Sequence, residues 1–265
     1  MKANWTIIPQ RNRIDESMSL ASEYGAAFEY NDFFEPKVYE DVEEVKRRIE
    51  IYRSLKRDRK NDTLHGAFYD VVANSKDSII RKHSRELMEY SMSVAEELEC
   101  KGVVFHTGLI AGLNTDAYID DWTSQYGEFM QELAERHPNT MIYVENTFER
   151  TPAPFVDLNK KLEELSKNLF ENDNIKLCLD YAHAILTPTP VEEWADAFAG
   201  KLGHIHINDN DLQSDLHLPP GSGIIDYDRF HEVMRPFLES ENINTLIEVN
   251  GIENQRSALE FLTGK

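Results

Sequence analysis

Short apolar runs and longer amphipathic stretches alternate along the whole chain. The runs are rich in β-branched and aromatic residues and end at polar positions, which is the pattern of buried strands. Between them, apolar side chains recur at helical spacing, which predicts helices that cover the strands. Strands are predicted at 5–10, 25–31, 63–68, 102–107, 140–147, 175–182, 203–208 and 245–250. Helices are predicted from Val38 to Leu55 and at 77–99, 118–136, 157–171, 190–199, 226–239 and 253–263.

This alternation continues to the end of the sequence without a proline-rich or glycine-rich linker. Such a series of strands and helices is typical of a closed parallel (β/α)8 barrel, so we predict one TIM barrel domain over residues 1–265. An open, doubly wound sheet that binds a dinucleotide would usually carry a GxGxxG turn after an early strand, and the sequence has none. In a barrel, the functional site lies at the mouth where the strands end.

The chain is strongly acidic. It has 28 Lys and Arg residues against 48 Asp and Glu residues, a formal net charge of -20. Such a surface repels nucleic acid and anionic lipid, so we expect neither as a partner. Cys100 and Cys178 lack CxxC spacing, which argues against a zinc ribbon or a disulfide framework and favours buried thiols. The first residues form no apolar signal segment, and no run of about 18 apolar residues occurs, so a cytoplasmic protein is expected.

The third to the eighth predicted strands each finish with a side chain that can bind a metal ion. One such residue is most simply explained as a capping or hydrogen-bonding group. Six of them at one barrel mouth would repel one another and lose solvation unless a cation were present. The sequence therefore predicts a divalent metal site. The six residues are His65, His106, Glu145, Asp180, His206 and Glu248.

Further polar residues follow two of these strands. His183 comes three residues after Asp180, and Asp215 and His217 lie two apart in "SDLHLPPGSG", so both can turn to one face of an extended loop. A salt-bridged loop explains the same spacing. The second strand, "GAAFEYNDFFEP", offers aromatic side chains that fit either a substrate pocket or the core. They are Phe28, Tyr30, Phe33 and Phe34, with Glu29 between them.

Seven motifs in this order resemble the xylose-isomerase-like barrel superfamily, which includes sugar isomerases, sugar epimerases and endonuclease IV. They are "LHGAF", "VVFHTG", "VENT", "CLDYAHA", "HIHINDND", "DLHLPPGSGIIDY" and "LIEVNG", between about residues 25 and 250. Resemblance to the epimerases implies one divalent ion, often Mn2+, bound by Glu145, Asp180, His206 and Glu248. Glu145 and Glu248 would also transfer the proton next to a carbonyl. The substrate contacts would be His183, His65, His106, Tyr30 and Arg150.

Resemblance to endonuclease IV implies a different site, with three Zn2+ ions that cleave abasic DNA. Its ligands would be the four residues above together with His65, His106, His183, Asp215 and His217. The acidic mouth favours a neutral sugar or polyol over a duplex. Two further alternatives remain, a lyase or dehydratase acting on polyols and a non-catalytic binding protein. A homo-oligomer is expected because barrels of this group often pair through exposed helices. The arginine that some ketose epimerases carry shortly after the metal-binding histidine is absent after His206.

Overall fold

The computed structural model of the protein describes residues 1–166 and 173–265. Its strands are arranged in chain order as a closed barrel, β1 to β8, and the paired strands are parallel. This confirms the predicted (β/α)8 barrel, and each predicted strand is present. The strands are β1 (Asn4–Ile7), β2 (Ala27–Tyr30), β3 (Thr63–His65), β4 (Gly102–His106), β5 (Met141–Glu145), β6 (Ile175–Asp180), β7 (Leu202–Ile207) and β8 (Asn244–Ile247).

Helices lie between the strands, as the amphipathic stretches predict. The predicted helix 157–171 overlaps α6, and its residues 167–171 lie outside the described residues. The helices are α1 (Ile14–Tyr24), α2 (Pro36–Tyr39), α3 (Val42–Ser54), α4 (Ser78–Glu97), α5 (Asp116–Arg136), α6 (Ala153–Ser166), α7 (Tyr181–Ile185), α8 (Val191–Phe198), α9 (Tyr227–Leu238) and α10 (Ile252–Thr263). None of the described helices combines the length and the hydropathy needed to cross a membrane.

Local hydrogen bonds explain where the structure departs from the predicted helices. The helix predicted from Val38 is divided because the carboxylate of Asp41 accepts hydrogen bonds from the backbone N–H groups of Glu43 and Glu44, which begins α3 at Val42. Helix α1 was not predicted at all. It buries only a few side chains, one of them Ser17, so its apolar stripe is weak.

The described residues form two compact units. Unit 1 comprises Met1–Glu29, Asn146–Pro152 and Leu177–Lys265. Its core includes apolar side chains of β7 and β8, such as Ile205 and Leu246, which are fully buried. Cys178, in the same unit, is a buried thiol.

Unit 2 comprises Tyr30–Glu145 and Ala153–Lys176. Its core includes stacked aromatic side chains of α5, with the ring centroids of Trp122 and Tyr126 5.1 Å apart. The indole N–H of Trp122 donates to the carbonyl oxygen of Thr107 at 2.9 Å, so this buried polar group is satisfied. Cys100 is a buried thiol, as predicted.

Candidate metal centre

Three predicted metal ligands lie together at strand ends of unit 1. Asp180 ends β6 and pairs in register with His206 of β7, while the residue Glu248 directly follows β8 and donates its N–H to Ile207. The potential ligand atoms of Asp180, His206 and Glu248 lie within 4.8 Å of one another. Nδ1 of His206 lies 3.4 Å from Oε2 of Glu248. Two carboxylates and one imidazole are a donor set that fits a divalent ion such as Zn2+ or Mn2+. We name these three residues the strand-end set.

The carboxylate of Asp180 is oriented by its neighbours. The side-chain amide of Asn146 donates to the backbone carbonyl of Asp180 at 3.0 Å, and its oxygen accepts from the backbone N–H of Asp180 at 2.8 Å. Oδ1 of Asp180 accepts from the N–H of His183 at 2.7 Å and thereby caps α7. Because this capping bond fixes the carboxylate plane, the ligand has little rotational freedom to lose on binding a metal.

A second group in unit 1 consists of His183, Asp215 and His217, here called the loop set. Oδ2 of Asp215 lies 3.2 Å from Nε2 of His183 and 2.9 Å from Nε2 of His217. Nδ1 of His183 lies 2.9 Å from the backbone carbonyl oxygen of Asn146. Nδ1 of His217 lies 3.0 Å from the backbone carbonyl oxygen of Glu248. Each imidazole therefore directs Nε2 at the carboxylate. The spacing predicted that Asp215 and His217 turn to one face of an extended loop. The backbone is not extended at His217, whose φ is 47°, and the two side chains contact each other.

Charge couples the members of the loop set. Burial alone would lower the pKa of His217, but the hydrogen bond to Asp215 and the charge of Glu248 raise it to about 10. Burial alone would raise the pKa of the Asp215 carboxyl, but its hydrogen bonds to the two histidines hold it well below its usual range. In this geometry Asp215 and His217 form an ion pair, so a metal at the loop set would have to displace the proton of His217.

The loop that carries Asp215 and His217 is organised by Asp209, a residue without a predicted role. The buried carboxylate of Asp209 accepts hydrogen bonds from the backbone N–H groups of Gly221, Gly223 and Ile225, at 2.9, 3.0 and 3.0 Å. A Cβ atom on Gly223 would lie 2.3 Å from Oδ1 of Asp209, so only glycine fits this close approach. The sequence signal was present in "DND" followed by "GSG", but an isolated Asp does not show which amides it binds.

The remaining predicted ligands meet in unit 2. Oε2 of Glu145, the last residue of β5, lies 3.2 Å from Nε2 of His106 and 3.6 Å from Nε2 of His65. Nδ1 of His65 lies 3.0 Å from the carbonyl oxygen of Gly66. Glu145 and His65 are buried. These three residues form a third group that could hold a metal ion.

Aromatic side chains surround this third group within unit 2. The ring centroid of Phe68 lies 5.1 Å from that of His65, 4.9 Å from that of His106 and 4.6 Å from that of Phe34. Tyr69 packs against Phe68 with centroids 4.3 Å apart, yet it is 52% exposed. We call Phe34, Phe68 and Tyr69 the aromatic wall. Its exposed faces can contact the C–H groups of a small ligand.

The other two predicted substrate contacts are Tyr30 and Arg150. Tyr30 is fully buried, and its hydroxyl donates to the carboxylate of Asp62 at 2.7 Å. Burial raises the pKa of this hydroxyl far above its usual range. These are the surroundings of a core side chain. Arg150 is exposed in unit 1, and its backbone carbonyl accepts a hydrogen bond from the hydroxyl of Thr189 at 2.8 Å.

Two further side chains, Glu29 and His204, lie beside His206. The sequence placed Glu29 on the second strand, in a substrate pocket or in the core, and indicated no role for His204. Oε2 of Glu29 lies 3.0 Å from Nε2 of His204, and Oε1 lies 3.4 Å from Nε2 of His206. All three side chains are fully buried. Burial alone would raise the pKa of the Glu29 carboxyl, but the two imidazoles hold it well below its usual range. Alternation along "GHIHIN" puts both histidines on one face of β7, but this local pattern does not specify their partner.

Comparison with known proteins gives one curated relative. An uncharacterized protein from Methanocaldococcus jannaschii is 26% identical over 175 residues. The match covers 65% of this chain, and the chain spans 65% of that relative's length.

Solved structures share the fold at lower identity. A D-tagatose 3-epimerase-like protein has a TM-score of 0.75 and 21% identity, covering 100% of this chain and 96% of that one. A protein from Thermus thermophilus, soaked with ZnCl2, has a TM-score of 0.75 and 20% identity, covering 98% and 97%. The family model described as xylose isomerase-like TIM barrel matches residues 18–263. The chain belongs to the xylose isomerase-like TIM barrel family.

Proposed function

We propose that the protein is a divalent-metal-dependent isomerase or epimerase that moves a proton next to the carbonyl of a sugar or sugar phosphate. The observation that carries this proposal is the convergence of Asp180, His206 and Glu248, whose ligand atoms lie within 4.8 Å of one another at strand ends. Likeness in fold to an epimerase-like protein supports the reaction class.

Glu145 is the fourth proposed ligand. It ends β5, and the strands of a closed parallel barrel all end at the same mouth. Three carboxylates and one imidazole suit Mn2+ or Zn2+, with one ion per chain. When bound, such an ion polarises the substrate carbonyl and stabilises negative charge on its oxygen.

Glu145 and Glu248 are the proposed acid/base pair. One carboxylate removes the proton from the carbon next to the carbonyl, and the other returns a proton. The side chain of Glu145 is 1% exposed and that of Glu248 is 12% exposed, so bulk water has little access to either carboxylate. Exclusion of water protects the removed proton from exchange and strengthens the electrostatic interactions of the reacting groups.

The proposed substrate is a small polyhydroxylated molecule. The imidazoles of His183, His65 and His106 would bind its hydroxyl groups, and the aromatic wall would pack against its C–H faces. Arg150, exposed in unit 1, stays a proposed contact for a polar or phosphorylated end. The net charge of -20 favours a neutral sugar over a polyanion.

A second candidate function is a phosphoesterase with three Zn2+ ions, acting on abasic DNA. The observation that favours it is the presence of two additional histidine and carboxylate groups, namely the loop set and the group of His65, His106 and Glu145. The same net charge opposes DNA binding, because a duplex requires several basic contacts to phosphates. For this reason the isomerase or epimerase remains the first proposal.

The experiment that tests the proposal is deuterium wash-in from heavy water into a panel of ketoses, with the purified protein loaded with Mn2+ or Zn2+. We expect exchange at one carbon of at least one sugar and its loss in Glu145→Gln, which removes the base but leaves three ligands. Glu163→Gln, a change at an exposed position of helix α6, serves as the control. No exchange in any sugar, together with nicking of abasic DNA by a protein that holds about three Zn2+ ions, would establish the second candidate instead.

A further inference from the structure

The ring of His206 is oriented differently from the rings of three other candidate ligands, His65, His183 and His217. In these three rings, Nδ1 lies within hydrogen-bond distance of a backbone carbonyl oxygen. Nε2 of each ring faces a carboxylate oxygen. In His206 the ring is reversed. Its Nε2 faces Oε1 of Glu29 at 3.4 Å, and its Nδ1 faces Oε2 of Glu248 at 3.4 Å. The side chain of a buried glutamate therefore takes the place that a backbone carbonyl has in the other three.

Glu29 is anchored by a second histidine. Its other oxygen, Oε2, lies 3.0 Å from Nε2 of His204. His204 and His206 are two residues apart on β7, so both side chains leave the same face of the strand. Their rings are nearly perpendicular, at 81°, with centroids 5.0 Å apart. One carboxylate thus contacts two imidazoles with separate oxygens.

The protonation of the rings follows from this arrangement. A buried carboxylate is stable only if donors satisfy it, so each imidazole presents an Nε2–H group to Glu29. A neutral ring with a proton on Nε2 has its lone pair on Nδ1. In His206 that lone pair points to the side where Glu248 and Asp180 lie. Without Glu29 the ring could adopt either tautomer, and only one of them has a lone pair on that side.

We propose that Glu29, held in place by His204, is a positioning residue that fixes the tautomer and orientation of His206 so that Nδ1 serves as the metal ligand. This inference rests on the proposed function, because the residue that Glu29 positions, His206, is a proposed metal ligand. Carboxylates that accept the second N–H of a ligating histidine raise the basicity of the ligand and commonly change metal affinity by about 10- to 100-fold.

The test uses Glu29→Gln in the full-length protein. A glutamine keeps the size of the side chain but offers only one acceptor oxygen, so one of the two imidazoles faces an N–H2 group instead. We expect the affinity for Mn2+, measured by titration calorimetry, to fall by about 10- to 100-fold. We also expect the ring 15N shifts of His206, measured by NMR without metal, to change from the Nε2–H form to a mixture of tautomers.

Asp62→Asn is the matched control. Asp62 is also a fully buried carboxylate, but it belongs to unit 2, where it contacts Arg57 and Tyr30. We expect this change to lower stability without altering the Mn2+ affinity or the His206 spectrum. If Glu29→Gln does not fold, His204→Gln decides the matter, because it weakens the anchor of Glu29 while leaving the contact with His206. It should reduce Mn2+ affinity by up to about tenfold.

The outcomes separate the two proposals. Unchanged affinity and an unchanged His206 spectrum in the folded variant would overturn the positioning role and leave the proposed function intact. A wild-type protein that binds no Mn2+ or Zn2+ would overturn the proposed function. In that case the NMR comparison alone still shows whether Glu29 sets the tautomer of His206, and a mixture of tautomers already present in the wild type would refute it.

Discussion

The strand-end set and the loop set both consist of carboxylates and imidazoles in unit 1, but the chain positions them differently. Asp180 and His206 are neighbours because β6 and β7 pair in parallel register. Asp215 and His217 lie in an irregular loop, where His217 has a positive φ of 47°. Register is maintained by the whole sheet, whereas the loop depends on a few hydrogen bonds to Asp209. Similar donor groups can therefore differ greatly in how firmly the fold positions them.

The largest effect is expected from a change in the strand-end set itself. Glu248→Gln removes a proposed base and a charged ligand, so we expect turnover of the sugar that exchanges deuterium to fall by about 10²- to 10⁴-fold. Steady-state kinetics and circular dichroism measure the rate and the fold. Glu253→Gln is the control, because Glu253 pairs with Arg13 at the surface. If turnover in Glu248→Gln stayed within about threefold of the wild type, the loss would be far smaller than the contribution of acid/base catalysis. Glu248 would then not belong to the acid/base pair.

A smaller effect is expected from a change that disturbs only the loop set. In Gly223→Ala the new Cβ would meet Oδ1 of Asp209 and the carbonyl oxygen of Asn210, at 2.3 and 2.5 Å. We expect the free energy of unfolding, measured in urea, to drop by about 1 to 3 kcal/mol. The affinity for the first Zn2+ ion should change little, because the sheet still positions Asp180 and His206.

Gly200→Ala is the matched control for this change, since nothing lies within 4 Å of the position that its Cβ would occupy. It should leave the urea midpoint unchanged within error. If Gly223→Ala abolished binding of the first Zn2+ ion in a folded protein, the strand-end set and the loop set would not be independent.

The aromatic wall provides a third comparison, between residues proposed to bind substrate and residues proposed to react. Tyr69→Ala removes an exposed aromatic face worth about 0.5 to 1.5 kcal/mol, so we expect the KM to rise roughly two- to tenfold. The kcat should be nearly unchanged, because no proposed reacting group is altered. Tyr24→Ala, at a ring that contacts Lys265, should change neither constant. A loss confined to kcat would contradict the proposed role.

The smallest effect concerns a cluster in unit 2 that consists of Glu89, Arg136 and His137 and shares no residue with either set. Burial would raise the pKa of Glu89, but hydrogen bonds to Arg136 and His137 lower it. A lowered pKa stabilises the fold above the ordinary carboxyl pKa, and the contribution is lost as the pH falls through the lowered value. Glu89→Gln should therefore cost about 0.5 kcal/mol near pH 7, and this cost should shrink as the pH falls through the lowered pKa, as measured by urea unfolding. A difference in the free energy of unfolding between wild type and Glu89→Gln that grew towards acid pH would contradict the lowered pKa of Glu89.

Much of the fold followed from the sequence because strands of a parallel barrel are buried on both faces and appear as continuous apolar runs. The polar residue at the end of the third to the eighth runs also marked the candidate ligands. His204 shows the limit of this reasoning. Its periodicity placed it beside His206, but its partner Glu29 is 175 positions away in the chain, and no local pattern specifies that contact.

The acidic loop after β7 shows a second limit. In the sequence its carboxylates indicated a negatively charged mouth, yet the carboxylate of Asp209 is buried and occupied by backbone N–H groups. Helix α1 was missed for a related reason, since the buried Ser17 replaces an apolar side chain and instead accepts a hydrogen bond from the N–H of Gln10. In both cases a polar residue is satisfied internally, which composition and periodicity do not reveal.

Anomalous diffraction at the zinc edge from crystals soaked in Zn2+ would locate the proposed metal ion. We expect a peak about 2.0 to 2.2 Å from side-chain atoms of Asp180, His206, Glu248 and Glu145, with Nδ1 as the histidine ligand. Peaks elsewhere, or none at these residues under saturating zinc, would contradict the claim that the strand ends hold a catalytic metal ion.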